Sequence, residues 1–222
     1  MNKFRPFIAI AIILAVLAVA GFFLVRARRN QQVFSDSMVS LPTVSSSPST
    51  TPRRASDAVV TLEEFGDYQC PPCGQLHPTL KSLKQEYGPN LNFVFRNLPL
   101  TAIHKNALVA AQAAEAARVQ NKFWEMHDLL YESQEVWKDD INPRSIFVKF
   151  ASDLGLDTAR FSRDMQDKQI QLRIQADQDA ATQLGVIGTP TVLIDGHQLL
   201  PEKTTPDGLR KGIETMLSRK SS

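Results

Sequence analysis

Hydrophobic and polar positions divide the chain into three stretches. From Pro6 to Val25 it reads PFIAIAIILAVLAVAGFFLV, with no charged residue. As a helix this run spans about 30 Å, the depth of a bilayer core. From Ser35 to Ser56, SDSMVSLPTVSSSPSTTPRRAS has no helical or strand period and few apolar residues. That composition predicts an extended, solvated tether. Beyond Ala58 the pattern tightens into short periodic runs.

AVVTLEEF alternates, placing Val60, Leu62 and Glu64 on one face of a strand and Glu63 on the other. Leu76, Leu80 and Leu83 then recur at helical spacing, and Gly88-Pro89 stops that helix. LNFVF, from Leu91 to Phe95, is a second strand. A long helical stretch follows, with faces formed by Phe123, His127 and Leu130, by Phe147, Phe150, Ala151 and Leu154, and by Ile170, Ile174, Ala181 and Leu184. GTPTVLIDG supplies a third strand, and Leu199-Leu200 begins its hairpin partner. Thr205 as N-cap and Pro206 as first residue open a last helix that buries Leu209, Ile213, Met216 and Leu217. The order is β-α-β, a block of about four helices, then β-β-α. It predicts an α/β fold with a mixed sheet and a helical insertion at about 102–185.

Lys3 and Arg5 precede the apolar run, as in an export signal. Ala18-Val19-Ala20 resembles a peptidase site, but GFFLV extends the run past it, and the length favours an uncleaved anchor. The expected organisation is a cytoplasmic terminus at 1–5, a transmembrane signal-anchor at 6–25, a linker at 26–57 and a folded domain at 58–218. Arg26, Arg28 and Arg29 alone would lean towards the opposite topology. The thiol chemistry below decides for a domain outside the cytoplasm.

Composition narrows the function by exclusion. Net charge is +2, from 25 basic and 23 acidic residues without long clusters, so nucleic acid is not a predicted partner. Only two cysteines are present, too few for a disulfide framework.

Both cysteines fall in FGDYQCPPCGQLHP, between the first strand and its helix. This spacing puts Cys70 at the helix amino terminus, where free N–H groups and the dipole favour a thiolate. Such cysteines have pKa values of about 3.5 to 7, against about 8.5 for a free thiol. Cys73, one turn on, is placed to resolve a mixed disulfide. A disulfide across two residues closes too small a loop to serve as a staple. Zinc needs four ligands and one CxxC supplies two; the other soft candidates are His77, His104, His127 and His197. His127, on an apolar face, reads as a satisfied core histidine, and His77 as either near the cysteines or solvated. No cofactor or metal is predicted.

The prolines modulate the pair. Pro71 occupies the first helical position, where its missing N–H costs nothing. Pro72 deletes a donor from the next, leaving the N–H groups of Cys73 and Gly74 for the thiolate. Glu64 reads either as a solvated edge charge or as a buried acid exchanging protons with Cys73. In GTPT, Pro190 opens a strand, as a proline does at an edge or special turn.

Strand, CPPC, helix, helical insertion and VIGTPTVLIDG together resemble the DsbA-like branch of the thioredoxin superfamily, over about Ala58 to Leu217. AAQAAEAARVQNKFWEMHDLLY is similar to that family's insertion. The resemblance implies a thioredoxin fold with Pro190 cis and Thr189 against the cysteines. It makes Cys70 the nucleophile, Cys73 the resolving thiol and Glu64 the acidic residue six places earlier. It also implies strand-like pairing of substrate beside Pro190. Pro72 departs from the histidine of the family's best-known oxidase. The implied role is extracytoplasmic, at the bacterial cytoplasmic membrane: oxidation of exported cysteine-containing proteins, with a membrane-bound, quinone-linked oxidant or an electron donor as redox partner. Three other readings stay open: a reductase or isomerase for cytochrome c or copper-site assembly, a copper-delivery module, and a peptide-holding groove.

Overall fold

Alternating burial in VTLEEFG makes β1 (Val60–Gly66) the centre of the sheet. The computed structural model describes residues 59–221, so the apolar run at 6–25 and the tether lie outside the described residues. Among the described residues, no helix is long and apolar enough to cross a membrane.

From β1 the chain enters α1 (Pro71–Tyr87), which stops where Gly88 takes a φ of +50° that other residues avoid. β2 (Leu91–Asn97) then pairs parallel to β1, closing a β-α-β unit. Six helices follow: α2 (Ala107–Val119), α3 (Phe123–Glu132), α4 (Gln134–Trp137), α5 (Pro143–Asp153), α6 (Thr158–Asp164) and α7 (Lys168–Gln183). The chain returns through β3 (Thr191–Ile194) and β4 (His197–Gln198), and ends in α8 (Pro206–Ser221). The sheet order is β2-β1-β3-β4, with β3 antiparallel to both neighbours.

Each face of the sheet is covered. Val60 and Leu62 pack with Leu76, Leu80 and Leu83 of α1 and with Leu209 and Ile213 of α8. Phe65 and Leu193 point the other way, onto Ala181 of α7 and Val186. The helical insertion has its own core, in which the alanines of α2 admit Trp137, Phe147, Phe161 and Ile174. Each fully buried large side chain of this kind contributes about 2 kcal/mol of transfer free energy.

Two expected positions shift by a few residues. The return strand begins at His197, because Asp195 and Gly196 at φ +48° and +79° form a two-residue turn. Leu199 continues it through a bond from its N–H to the Val192 carbonyl, and Leu200 is exposed. Leu184 does not join the buried face of α7. That helix ends at Gln183, and Gly185 at φ +69° turns the chain, leaving Leu184 exposed. The start of α8 follows the pattern: the Gly208 N–H donates to the Thr205 hydroxyl at 3.2 Å.

Candidate active site

The loop after β1 descends through Asp67, Tyr68 and Gln69, all buried, to Cys70 at the N-cap of α1. Cys70 has extended φ/ψ of −72° and 120°, and Pro71 and Pro72 fill the first helical positions. Cys70 is 5% exposed and Cys73 wholly buried, and both are free thiols.

Their environments push them apart. The Cys70 thiol is lowered to about 6, foremost by a hydrogen bond from the Cys73 thiol, against the cost of burial. Thr189 and the backbone N–H of Cys73 add to the lowering. The N–H of Gly74, left open to the thiolate on sequence grounds, is instead spent on the Cys70 carbonyl at 3.2 Å. Among the described residues, the backbone donor that favours the thiolate is the Cys73 N–H. Cys73 moves far the other way, because burial and its bond to Cys70 oppose its ionisation. At pH 7 Cys70 favours the thiolate and Cys73 stays protonated. One sulfur is poised to carry charge near neutral pH, and the other holds its proton.

Glu64 occupies the central strand, opposite Phe95 on one side and Val192 on the other. It is 1% exposed and is no edge charge. Burial first, and the charge on Cys70 second, raise it to about 8, and its Oε1 has no hydrogen-bond partner among the described residues. A carboxyl that is protonated near neutrality and felt by both cysteines is suited to hand a proton to Cys73 as it leaves a disulfide. Glu63, on the opposite face, pairs with Arg96, which also reaches Asp177 of α7.

The Thr189–Pro190 peptide bond is cis, and the Cys70 Sγ lies 3.5 Å from the Thr189 carbonyl oxygen. Thr189 and Pro190 also line a groove of about 550 Å³ together with Pro72, Gln75, Leu76 and Pro206. Strand β3, helix α1 and the start of α8 thus meet beside the nucleophile.

The solvated alternative for His77 does not hold. The ring is buried, stacks on Tyr131 at 5.1 Å and faces Asp128 and Glu132 of α3. His127 is a core histidine as expected, held through Nδ1 by the Tyr68 hydroxyl at 3.0 Å. His104 pairs with Asp67 at 2.8 Å, and His197 lies on the exposed strand β4.

Several residues without an obvious signal support the site. Gln134, from α4, donates to the carbonyls of Tyr68 at 2.7 Å and Cys70 at 3.0 Å. Asp67 accepts from the N–H groups of Gln69 and Leu100. Gln69 accepts from the Asn106 N–H and donates to the Lys138 carbonyl. The helical insertion therefore grips the cysteine loop from above. Only the Asp67 turn had a local signature, an Asx bond to the residue two places on.

The family model described as thioredoxin matches residues 52–215. The chain belongs to the thioredoxin family. Its fold is shared with solved thioredoxin-like and DsbA structures. It is 26% identical to a thioredoxin-like oxidoreductase from Silicibacter pomeroyi, with 75% of this chain and 90% of that one covered at a TM-score of 0.61. The oxidoreductase DsbA from Xylella fastidiosa shares the fold at a TM-score of 0.61 and 17% identity, with 76% of this chain and 90% of that one covered. A curated relative, Na(+)/H(+) antiporter NhaA 3 of Salinispora tropica, is 41% identical over 146 residues. That match takes in 66% of this chain and only 22% of the antiporter, a segment of one domain's size.

Proposed function

We propose that this thiol:disulfide oxidoreductase acts outside the bacterial cytoplasm, anchored by residues 6–25, and donates disulfides to exported proteins through Cys70 and Cys73. The observation that carries the reading is the split between the two sulfurs: Cys70 lowered to about 6, Cys73 pushed far up. A low Cys70 value stabilises the reduced pair and makes the disulfide a better oxidant. The charge-free run Pro6–Val25 and the Ser/Thr/Pro-rich tether support a domain held near the membrane.

In this reading a substrate thiolate attacks the Cys70 sulfur of the Cys70–Cys73 disulfide. The S–S bond breaks, Cys73 departs with the electron pair, and Glu64 supplies its proton. A second substrate thiol, deprotonated, attacks its partner sulfur in the mixed disulfide. Cys70 leaves as a thiolate, the substrate gains a disulfide, and two electrons remain on the cysteine pair. A membrane-bound, quinone-linked oxidant then removes them. The groove beside Thr189 and Pro190 holds the substrate in extended form.

Reductase or isomerase action is the second reading, favoured by Pro72, which removes one thiolate donor beside Cys70. Equilibration of the pair in glutathione buffers tests both. A potential near −120 mV supports a disulfide donor, and one near −270 mV a reductase. A reporter fused after Ser222 that is active only in the cytoplasm would sink the topology.

A further inference from the structure

One turn along α1 from Cys73, His77 faces His127 and Asp128 of α3 across a cavity of about 250 Å³. One ligand-capable atom from each of the three lies within 4.8 Å of the others. Both imidazoles are buried, His77 at 4% and His127 at 1% exposed, and Asp128 is partly exposed at the mouth. The feature that hydrophobic packing leaves unexplained is the Nε2 of His77. It is buried and has no hydrogen-bond partner among the described residues, although Asp128 Oδ1 lies 3.4 Å away. A buried, unpaired ring nitrogen costs about 1–3 kcal/mol unless something occupies its lone pair or proton.

We propose that His77, His127 and Asp128 form a binding site for one divalent transition-metal ion of the zinc class. Two imidazoles and one carboxylate suit zinc, whereas calcium and magnesium call for all-oxygen shells. The 3.4 Å from His77 Nε2 to Asp128 Oδ1 matches the edge of a tetrahedron with metal–ligand bonds of about 2.0–2.2 Å. His127 has its Nδ1 engaged by the Tyr68 hydroxyl, which fixes the ring and leaves Nε2 to ligate. Asp128 divides its oxygens in the same way. Oδ1 faces His77, and Oδ2 is held at 2.8 Å by Lys81. The fourth position opens on the cavity and takes water or Glu132, whose Oε1 is 4.0 Å from His77 Nε2.

Two lysines line the same cavity, and each already has a partner. Lys81 is neutralised by Asp128 and Glu132 at 2.8 and 2.7 Å, and Lys84 lies over the Trp124 ring at 3.5 Å. An ion here would join α1, the helix that carries both cysteines, to α3 of the helical insertion. The inference stands whichever way the cysteine pair passes electrons.

The test uses the full chain in detergent without a histidine tag, with Cys70–Cys73 oxidised so that the thiols cannot chelate. Titration of Zn²⁺ against a chromophoric chelator should give one ion per chain, at a Kd of about 10 µM or tighter. Loss of an outer partner typically costs 10–100-fold in affinity, so Asp128→Asn and His77→Phe should each weaken binding at least about tenfold. His77→Phe keeps a ring to stack on Tyr131, and Asp128→Asn alters only a partly exposed group, so both can be checked for folding by far-UV circular dichroism. Zn²⁺ should also raise the melting temperature of the parent chain and leave that of Asp128→Asn unchanged. Absence of binding, a preference for Ca²⁺, or Zn²⁺ affinity unaltered in Asp128→Asn would overturn the proposal.

Discussion

The Cys70 sulfur lies 3.5 Å from the carbonyl oxygen of Thr189, a residue 119 positions away in the chain. This contact closes the α/β frame around the nucleophile: the amino terminus of α1 meets the loop that enters β3. It also puts the Thr189 hydroxyl, buried and without a hydrogen-bond partner among the described residues, beside a sulfur that carries charge at neutral pH.

Thr189 lowers the Cys70 value, after the larger effect of the Cys73 thiol. Thr189→Val keeps the shape and removes the hydroxyl. Without the polar hydroxyl beside the thiolate, the Cys70 pKa should rise above about 6. Alkylation rate against pH measures it. An unmoved midpoint would show that the hydroxyl plays no part.

Pro72 removes one backbone N–H beside the sulfur and leaves that of Cys73 to favour the thiolate. Pro72→His restores an N–H at the second helical position and adds a side chain that bears positive charge at mildly acidic pH. The Cys70 pKa should fall below about 6, and the potential of the pair should rise in step. Glutathione equilibration of both chains, with the alkylation midpoint as a cross-check, tests the two shifts together.

How much of this was legible in the sequence follows from how local each determinant is. The two sulfurs, the helix they open and its stop at Gly88 depend on a few adjacent residues, so spacing was enough. Glu64 was placed on its face by strict alternation, but alternation does not tell a central strand from an edge. Its burial follows from the pairing of β1 with both β2 and β3. Gln134 carries no signal, since its contact with the Cys70 carbonyl bridges 64 positions. His77 was placed one turn from Cys73, yet what it faces is set by the docking of α3. Leu184 fits the period of α7 but lies just past its end, where Gly185 redirects the chain.

Gln134 offers a test of the grip on the cysteine loop. Gln134→Ala leaves the buried Tyr68 carbonyl without its donor, at a cost of about 1–3 kcal/mol, and the Cys70 carbonyl with the Gly74 N–H alone. Urea unfolding should show a lower midpoint at an unchanged m-value. Gln134→Glu places a carboxylate against the same carbonyls, so it should destabilise more and also raise the Cys70 pKa. If Gln134→Glu unfolds at the same urea concentration as the parent chain, the grip is unimportant.

Glu64 gives the fold a pH dependence whose sign is fixed. Its carboxyl is raised to about 8 in the folded chain, from 4.5 as the ordinary value. Between those limits the unfolded chain has released the proton and the folded chain still holds it. The unfolded state then binds fewer protons, and stability falls as pH rises through this window. At about 1.4 kcal/mol per pH unit the decline approaches about 5 kcal/mol at the extreme. Cys70 acts in the opposite sense: lowered to about 6 in the folded, reduced chain, it adds stability as pH rises from 6 to 9. Its contribution disappears in the disulfide form. Glu64→Gln removes the first effect and keeps the shape of the side chain. The variant should therefore gain on the parent chain steadily from pH 4.5 to 8, with the advantage levelling off above that. Chemical denaturation of both reduced chains at half-unit pH steps, in which Cys70 contributes to parent and variant alike, measures the difference. Parallel curves across the window would mean that Glu64 ionises freely in the folded protein, and its role as proton donor to Cys73 would fall with it.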